Sequence, residues 1–566
     1  MVIYRYTNLD TTKNEIRLLR LLPGSFNDPI KIQIYTTPLT VPSSESDMRM
    51  SLDELNKTVP KPWGAYKTVH GRYIFDNHES DQTSWMHPDP SFDSSALGTT
   101  FEDPPANYEP KYEALSYTWG SAESPEQAFV ETPEDGYAGT RDAVTLPIGR
   151  NLASALRHLR YTQTSRTMWV DAICINQGSI PERNVQVKRM ADIYRLADRV
   201  VIWLGQHEND SDLAMNMLNH LGAQVVLLEN DWRSRAPEAT EPDWYRLGKP
   251  MPIAEHVWAA MNHLLKRRWF DRVWVMQEGQ LANSRAIVTC GATSIPWPRM
   301  QAALADLSSI TDVSHEMLER FTRLEHFAFR QTGRSLYSLI FRNVYRACAD
   351  PRDKIYGILG LAHPTIAARI TPNYSASVED AYKDVFLSYS TYSHRADMLC
   401  ACDLGFRKID GPSWIPDWTA IPESSVRISS LMSHDVSAAC MEYVPPDVLR
   451  IIGVHCAVVH DVGAAASSEP ANVIEAMRQW EPENLQTSSY VTGESMLDAF
   501  VSIIRGNCIK ERFPDYGFPT MQSWKETYLS KISRSQGSGD LEDTMKDSPV
   551  DTQPGKQKAW DEAKEC

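Results

Sequence analysis

The chain has 566 residues, more than one hydrophobic core normally serves, so we expect two or three domains. Apolar residues make up 42% and charged residues 23% of the chain, a composition typical of globular proteins and not of disordered ones. The formal net charge of −16 at pH 7 argues against the basic stripe that nonspecific nucleic-acid binding requires, so no nucleic-acid partner is expected.

Targeting and redox features predict a cytoplasmic protein. The first residues lack the apolar core of a secretory leader, and no run approaches the roughly 18 apolar residues of a membrane span. Nine cysteines without a C-x-x-C pair are typical of reduced thiols. Cys400 and Cys402 are one residue apart, which we interpret as two thiols on one face of a strand. No metal site is expected.

The N-terminal residues 1–41 alternate apolar and polar side chains. Three runs predict strands that pack on the following domain: Ile3–Tyr6, Glu15–Leu21 and Lys31–Tyr35. Residues 42–110 are rich in Ser, Asp, Pro and Thr and have little periodicity. We interpret them as an insertion or flexible loop.

Residues 111–292 alternate strand and helix patterns, which predicts an α/β domain. Asn151 is expected to cap one helix, and Ser179 with Glu182 forms a capping box for another. The predicted strands are Tyr112–Trp119, Val144–Ile148, Thr167–Ile175, Arg199–Leu204 and Ala286–Cys290. Residues 293–532 are expected to be mainly helical with some strands, and residues 533–566 to form a disordered tail.

Polar side chains follow the predicted central strands. Open α/β sheets build their sites at the carboxyl ends of strands. Asp171 interrupts an apolar run and needs a partner there, so it is either a pocket carboxylate or a structural residue that pairs with Arg183, with Arg189 or with backbone donors of the following loop. Arg183, beside a helix start, suits an anion or a carboxylate. We expect one pocket lined by Ser116, Trp119, Gly120, Asp171, Asn176, Gln177 and Arg183.

Six ungapped blocks, in order, resemble the fungal heterokaryon incompatibility (HET) domain family. They are Tyr112–Gly120, Asn151–Leu159, Trp169–Gln177, Glu182–Ala197, Val201–Gly205 and Arg272–Glu278. The resemblance implies a role in nonself recognition and programmed cell death, exerted through protein partners and self-association. The family is similar to Toll/interleukin-receptor (TIR) domains, which implies a parallel sheet flanked by helices.

The same resemblance implies an enzymatic alternative, because some TIR-like domains cleave NAD. Glu278, after a predicted strand Val273–Val275, would then be catalytic and NAD the substrate, since a fixed carboxylate stabilises the oxocarbenium-like transition state. The structural alternative pairs Glu278 with Arg272 or Arg268. A third hypothesis is an accessory protein of a fungal secondary-metabolite pathway. The chain lacks G-x-x-x-x-G-K-[ST], G-x-G-x-x-G, H-E-x-x-H and G-x-S-x-G, which disfavours the enzyme classes those motifs mark.

Overall fold

A computed structural model of the protein describes residues 2–42, 50–80, 82–97, 108–121, 123–131, 143–230, 232–241, 244, 251–308, 310, 313–421, 438–453, 458, 470–505 and 519–533. The chain divides into two compact units, Met1–Tyr392 and Ser393–Cys566. Over the ranges just given, no helix combines the length and the apolarity that crossing a bilayer requires.

The first unit is built on a ten-stranded sheet. In spatial order its strands are Val2–Ile3, Val144–Ile148, Glu126–Val130, Lys31–Pro38, Glu15–Leu21, Arg166–Trp169, Glu113–Tyr117, Arg199–Trp203, Ile287–Cys290 and Thr293–Pro296. Neighbours are parallel from Arg166–Trp169 through to Ile287–Cys290. Strand Glu15–Leu21 is antiparallel to both of its neighbours.

The expected parallel sheet is therefore a mixed sheet, and the α/β class is confirmed. The strands of residues 1–41, expected to pack on the domain, do so by joining its sheet, because Glu15–Leu21 pairs directly with Arg166–Trp169. Pairing continues over seven residues with Lys31–Pro38, from Glu15 opposite Pro38 to Leu21 opposite Ile32. The N-terminal strands are thus part of the sheet that carries the central strands.

Helices cover the sheet and extend the first unit. They are Leu52–Thr58, Arg150–Leu159, Asp171–Cys174, Ile180–Arg195, Ser211–Gly222, Glu255–Leu265, Val275–Gln280, Trp297–Leu307, His315–Glu325, Leu336–Arg342, Asp353–Tyr356, Pro364–Arg369 and Val378–Ser393. Short 3-10 turns are Thr11–Lys13, Ser94–Leu97, Arg268–Asp271 and Leu359–Leu361. Helix Arg150–Leu159 buries Leu152 and Leu156, one turn apart, against Val201 and Trp203 of the sheet. Each such leucine contributes roughly 1.5–3 kcal/mol by burial.

Three local predictions near the site are wrong. The strand expected over Thr167–Ile175 ends at Trp169, and Asp171–Cys174 is a helical turn closed by a 2.7 Å bond from the Cys174 N–H to the Val170 carbonyl. Val273–Val275 is not a strand; Glu278 lies in helix Val275–Gln280. Asn151 does not cap its helix, because its side chain donates to the Thr118 carbonyl at 2.5 Å.

The described part of residues 42–110 folds, which corrects its interpretation as a loop. Helix Leu52–Thr58 packs on a three-stranded sheet of Trp63–Lys67, Tyr73–Asn77 and Gln82–Ser84. Its core contains Leu55, Ala65, Tyr73 and Phe75. A neighbouring ribbon pairs Val225–Leu227 with Arg233–Arg235. We call residues 50–97 the small sheet domain.

The second unit has its own core of Leu485, Phe500, Val501 and Tyr528. Its elements are a 3-10 turn Asp397–Ala401, strands Cys440–Val444 and Val448–Ile452, helices Pro470–Trp480, Met496–Ile504 and Met521–Thr527, and a π-helical turn Tyr528–Ile532. Cys400 lies in the 3-10 turn and Cys402 just after it, so their interpretation as strand residues is wrong. Residues 534–566 of the expected tail lie outside the described ranges.

Candidate functional site

The centre of the site is a buried contact between a strand and a helix. Ser116 lies in strand Glu113–Tyr117 and Glu278 in helix Val275–Gln280; Glu278 is 1% exposed. The Ser116 hydroxyl donates to Glu278 Oε2, and the Trp269 indole N–H donates to Ser116 Oγ at 2.8 Å. The serine therefore holds the carboxyl group in one position.

Arg272 supplies the positive charge at this contact. Its Nη1 lies 3.8 Å from Glu278 Oε2 and also donates to the Tyr117 carbonyl. Burial raises the pKa of Glu278 to about 7, although the Arg272 charge and the Ser116 hydrogen bond act to lower it. Desolvation prevails here because the carboxyl group is almost wholly removed from water.

Asp171 is the second carboxyl group of the site and begins the helical turn after strand Arg166–Trp169. Its Oδ2 accepts from the Trp119 indole at 2.8 Å, and its Oδ1 accepts from the Ala172 N–H at 2.7 Å. Burial raises the pKa of Asp171, while Arg272 and hydrogen bonds from Trp119 and Tyr117 lower it. Trp119 is 45% exposed, so the network reaches the surface at its ring.

The loop after Asp171 contributes one contact to the network. Gln177 Nε2 donates to the Asp171 carbonyl at 3.0 Å. Asn176 is directed elsewhere, because its N–H donates to Glu182 at 2.7 Å and its Oδ1 accepts from Gly178 at 3.2 Å. Gly120 adopts φ +77°, a left-handed conformation that favours glycine and turns the chain beyond Trp119.

Arg183 lies outside this network, and its expected ion pair with Asp171 is wrong. Its guanidinium lies 3.8 Å from the ring centroid of Tyr374, and Nη2 is 4.0 Å from Asp350 Oδ2. Arg189 does not pair with Asp171 either, since it donates to the carbonyl oxygens of Asn14, Glu15 and Leu39. The structure therefore joins Ser116, Trp119, Asp171, Gln177 and Glu278, with Gly120 beside Trp119, and separates Asn176 and Arg183 from them.

Glu182 has a role that the capping pattern did not predict. Ser179 accepts from the Glu182 N–H at 3.4 Å, but the Glu182 carboxylate pairs with Arg17 of strand Glu15–Leu21. Arg17 is 1% exposed and also donates to the Cys174 carbonyl at 3.1 Å. The position of Arg17 within the apolar run Ile16–Leu21 could have indicated a buried arginine that needs an acidic partner.

Sequence reasoning missed three residues of the network. Tyr117 forms a hydrogen bond with Asp171, and Trp269 forms one with Ser116. The charge of Arg272 lowers the pKa of both Asp171 and Glu278, whereas the sequence suggested Arg272 only as a structural partner of Glu278. The cluster Arg268–Arg272, with two arginines around Trp269, was the available signal. Chemically, the arrangement holds a proton at Glu278 close to neutral pH beside a fixed cation.

A segment beyond Glu278 supports the residues that carry the site. The Ala347 N–H donates to the Asp271 carbonyl at 2.6 Å, and the Val273 N–H donates to the Ala347 carbonyl at 2.9 Å. The Gly360 N–H donates to Gln277 Oε1 at 3.0 Å. We call residues 343–361 the strap, because they bind both ends of the stretch between Asp271 and Glu278.

Comparisons with known proteins agree with the sequence motifs. Residues 112–278 match the family model described as Heterokaryon incompatibility protein (HET). Heterokaryon incompatibility protein 6, OR allele, of Neurospora crassa is 27% identical over 408 residues, which are 61% of this chain and 58% of that protein. No solved structure matches the chain. The resemblance to HET domains is thereby confirmed, and Glu278 is the last residue of the matched segment.

Proposed function

We propose that this protein acts in fungal nonself recognition of the heterokaryon incompatibility type, and that its HET domain triggers growth arrest or cell death through contacts with other proteins. The observation that carries the proposal is the match of residues 112–278 to the HET family, together with a relative named for heterokaryon incompatibility. The TIR-like arrangement that the resemblance implies belongs to this proposal.

The geometry of the network supports action by contact. The Ser116 hydroxyl donates to Glu278 and accepts from Trp269, so its hydrogen-bonding groups serve the domain itself. The Trp119 ring extends outward, with its indole N–H held by Asp171. A rigid, half-exposed tryptophan is a typical anchor of protein interfaces. We therefore assign Trp119 to the contact surface and the buried carboxyl groups to its support.

A second candidate function is NAD hydrolysis with Glu278 as the catalytic residue. The observation that favours it is a carboxyl group with a pKa of about 7 beside Arg272, because strongly shifted groups gather at active sites. With Glu278 only 1% exposed, a ribose would reach it only after neighbouring side chains move aside. Asp171 and Trp119 would then line the entrance.

The test is inducible expression of the full chain in a filamentous fungus. The proposal predicts growth arrest with the natural sequence, its loss with Trp119→Ala, and its retention with Phe26→Ala, a matched control at 51% exposure. Immunoblotting verifies that the three proteins are present at equal levels. Normal growth at full expression of the natural sequence would overturn the proposal, and equal effects of the two substitutions would remove Trp119 from it.

A further inference from the structure

The small sheet domain carries a groove outside the residues matched to the HET family. The groove has a volume of about 440 Å³ and is lined by Pro62, Trp63, Tyr66 and His78, with Lys61 and Glu79 among its charged residues. A second, smaller groove of about 180 Å³ is lined by Trp63 together with Arg235 and Pro237. Trp63 thus lines both grooves.

The aromatic residues of the groove keep their polar groups available. Within the ranges that the structure describes, the Trp63 indole N–H and the Tyr66 hydroxyl make no hydrogen bond, although both side chains are half-buried. The Tyr66 and His78 rings meet edge to face, with centroids 6.1 Å apart. Trp63 packs partly on the core around Leu55 and Ala65, which holds its ring in place.

Pairing of an added β-strand is blocked along the edge strand Trp63–Lys67. The Asn56 side chain accepts from the Ala65 N–H at 2.8 Å and donates to the Ala65 carbonyl at 3.1 Å. The Lys67 carbonyl accepts from the Glu229 N–H at 2.9 Å. A ligand in this groove must therefore be recognised by side chains and not by strand addition.

We propose that this groove binds a proline-rich peptide of a partner protein in the polyproline II conformation. Such a peptide forms no internal hydrogen bonds, its prolines have no N–H, and its carbonyl groups are free to accept. The lining of the groove is complementary, because the rings of Trp63, Tyr66 and His78 can pack on proline rings, and the Trp63 N–H and Tyr66 O–H can donate to carbonyl oxygens. A glycan is disfavoured, because the Asn56 amide is already used by Leu52 and Ala65.

The test is fluorescence anisotropy of the full-length protein with labelled decaproline and, as a control, a Gly-Ser decapeptide. Saturable binding of decaproline alone is expected, with about tenfold weaker affinity for Trp63→Ala. Trp85→Ala is the matched control, since Trp85 lies in the same small sheet domain but donates to Glu238 at 2.8 Å. Its affinity should equal that of the natural sequence.

Trp63→Phe separates loss of binding from loss of folding, because phenylalanine keeps the packing on Leu55 and removes only the indole donor. A several-fold weaker affinity with an unchanged melting temperature would support the proposal. Absence of saturable decaproline binding up to millimolar concentration would overturn it. Equal losses for Trp63→Ala and Trp85→Ala would overturn it as well. None of these results depends on the growth-arrest assay.

Discussion

The Ser116 hydroxyl donates a hydrogen bond to the Glu278 carboxylate across 162 residues of sequence. This bond fixes helix Val275–Gln280 to the central strand Glu113–Tyr117 at a point closed to water. The positive charge of Arg272 lowers the pKa of Glu278 and the negative charge of Asp171 raises it, so the protonation of Glu278 depends on both neighbours as well as on burial. The first two predictions follow from this relationship.

Replacement of Glu278 by Gln should abolish part of the pH dependence of stability. The unfolded chain loses the Glu278 proton near pH 4.5, whereas the folded protein keeps it until about pH 7. The folded state thus binds more protons in this window, so its free energy of unfolding falls as the pH rises from 4.5 to 7 and levels off above. The fall attributable to this group is about 3 kcal/mol.

Urea unfolding at pH 5 and pH 8 measures this fall. The difference between the natural sequence and Glu278→Gln isolates residue 278, because Asp306, whose pKa burial also raises to about 7, is present in both proteins. Glu316→Gln, at an exposed residue paired with Lys266, is the control and should change stability by less than about 0.5 kcal/mol. Parallel pH profiles for the natural sequence and Glu278→Gln would contradict the assignment.

Replacement of Arg272 by Met should raise the pKa of Glu278 further, because the Arg272 charge lowers it in the natural protein. The fall in unfolding free energy should then extend to higher pH. Arg183→Met should leave the part of the profile that depends on Glu278 unchanged, since Arg183 acts on the carboxyl groups of Asp350 and Asp353 and not on that of Glu278. Urea unfolding between pH 5 and pH 9, with and without Glu278→Gln in each background, distinguishes the two variants, and a shift of the Glu278-dependent part in Arg183→Met would refute the separation of Arg183 from the network.

Replacement of Arg17 by Met should destabilise the protein by about 3–5 kcal/mol, because Glu182 would keep a buried charge without its partner. Arg20→Met, at an exposed residue of the same strand, should cost less than about 1 kcal/mol. Denaturant unfolding at pH 7 gives both values. Equal losses at the two positions would show that the Arg17–Glu182 pair contributes nothing specific.

The strap should stabilise the segment around Glu278. A fragment of residues 1–292 lacks the Ala347 and Gly360 contacts to the segment around Glu278, so it should unfold at lower urea concentration than a fragment of residues 1–392. Limited proteolysis should cut the shorter fragment within residues 268–280. If both fragments unfold at the same midpoint and resist proteolysis equally, the strap does not support the site.

Local patterns predicted some elements with their observed bounds. Alternation predicted strand Glu15–Leu21, although side chains on both of its faces are buried. The apolar run at Thr167–Ile175 failed, because a continuous apolar stretch does not distinguish a buried strand from a buried helical turn.

Long-range partners could not be predicted from sequence. Ser116 and Glu278 were both named as site residues, but their bond depends on helix Val275–Gln280, which was predicted as strand at its start. Arg183 was considered both as a pocket residue and as one of several alternative partners of Asp171. Arg183 instead lies over the ring of Tyr374, and the Tyr374 N–H donates to Asn184 Oδ1, which is 190 residues away in sequence. No local pattern carries that information.

We propose that residues 112–278, which match the HET family model, act through protein contacts and not through chemistry at Glu278. The most direct measurement follows cellular NAD and hyphal growth together after induction of the natural sequence and of Glu278→Gln at equal protein levels. If the protein acts through contacts, growth should stop with both proteins, and the cellular NAD level should be unchanged before growth stops. Loss of NAD with release of nicotinamide, followed by arrest, in the natural sequence alone would contradict it and establish the hydrolase.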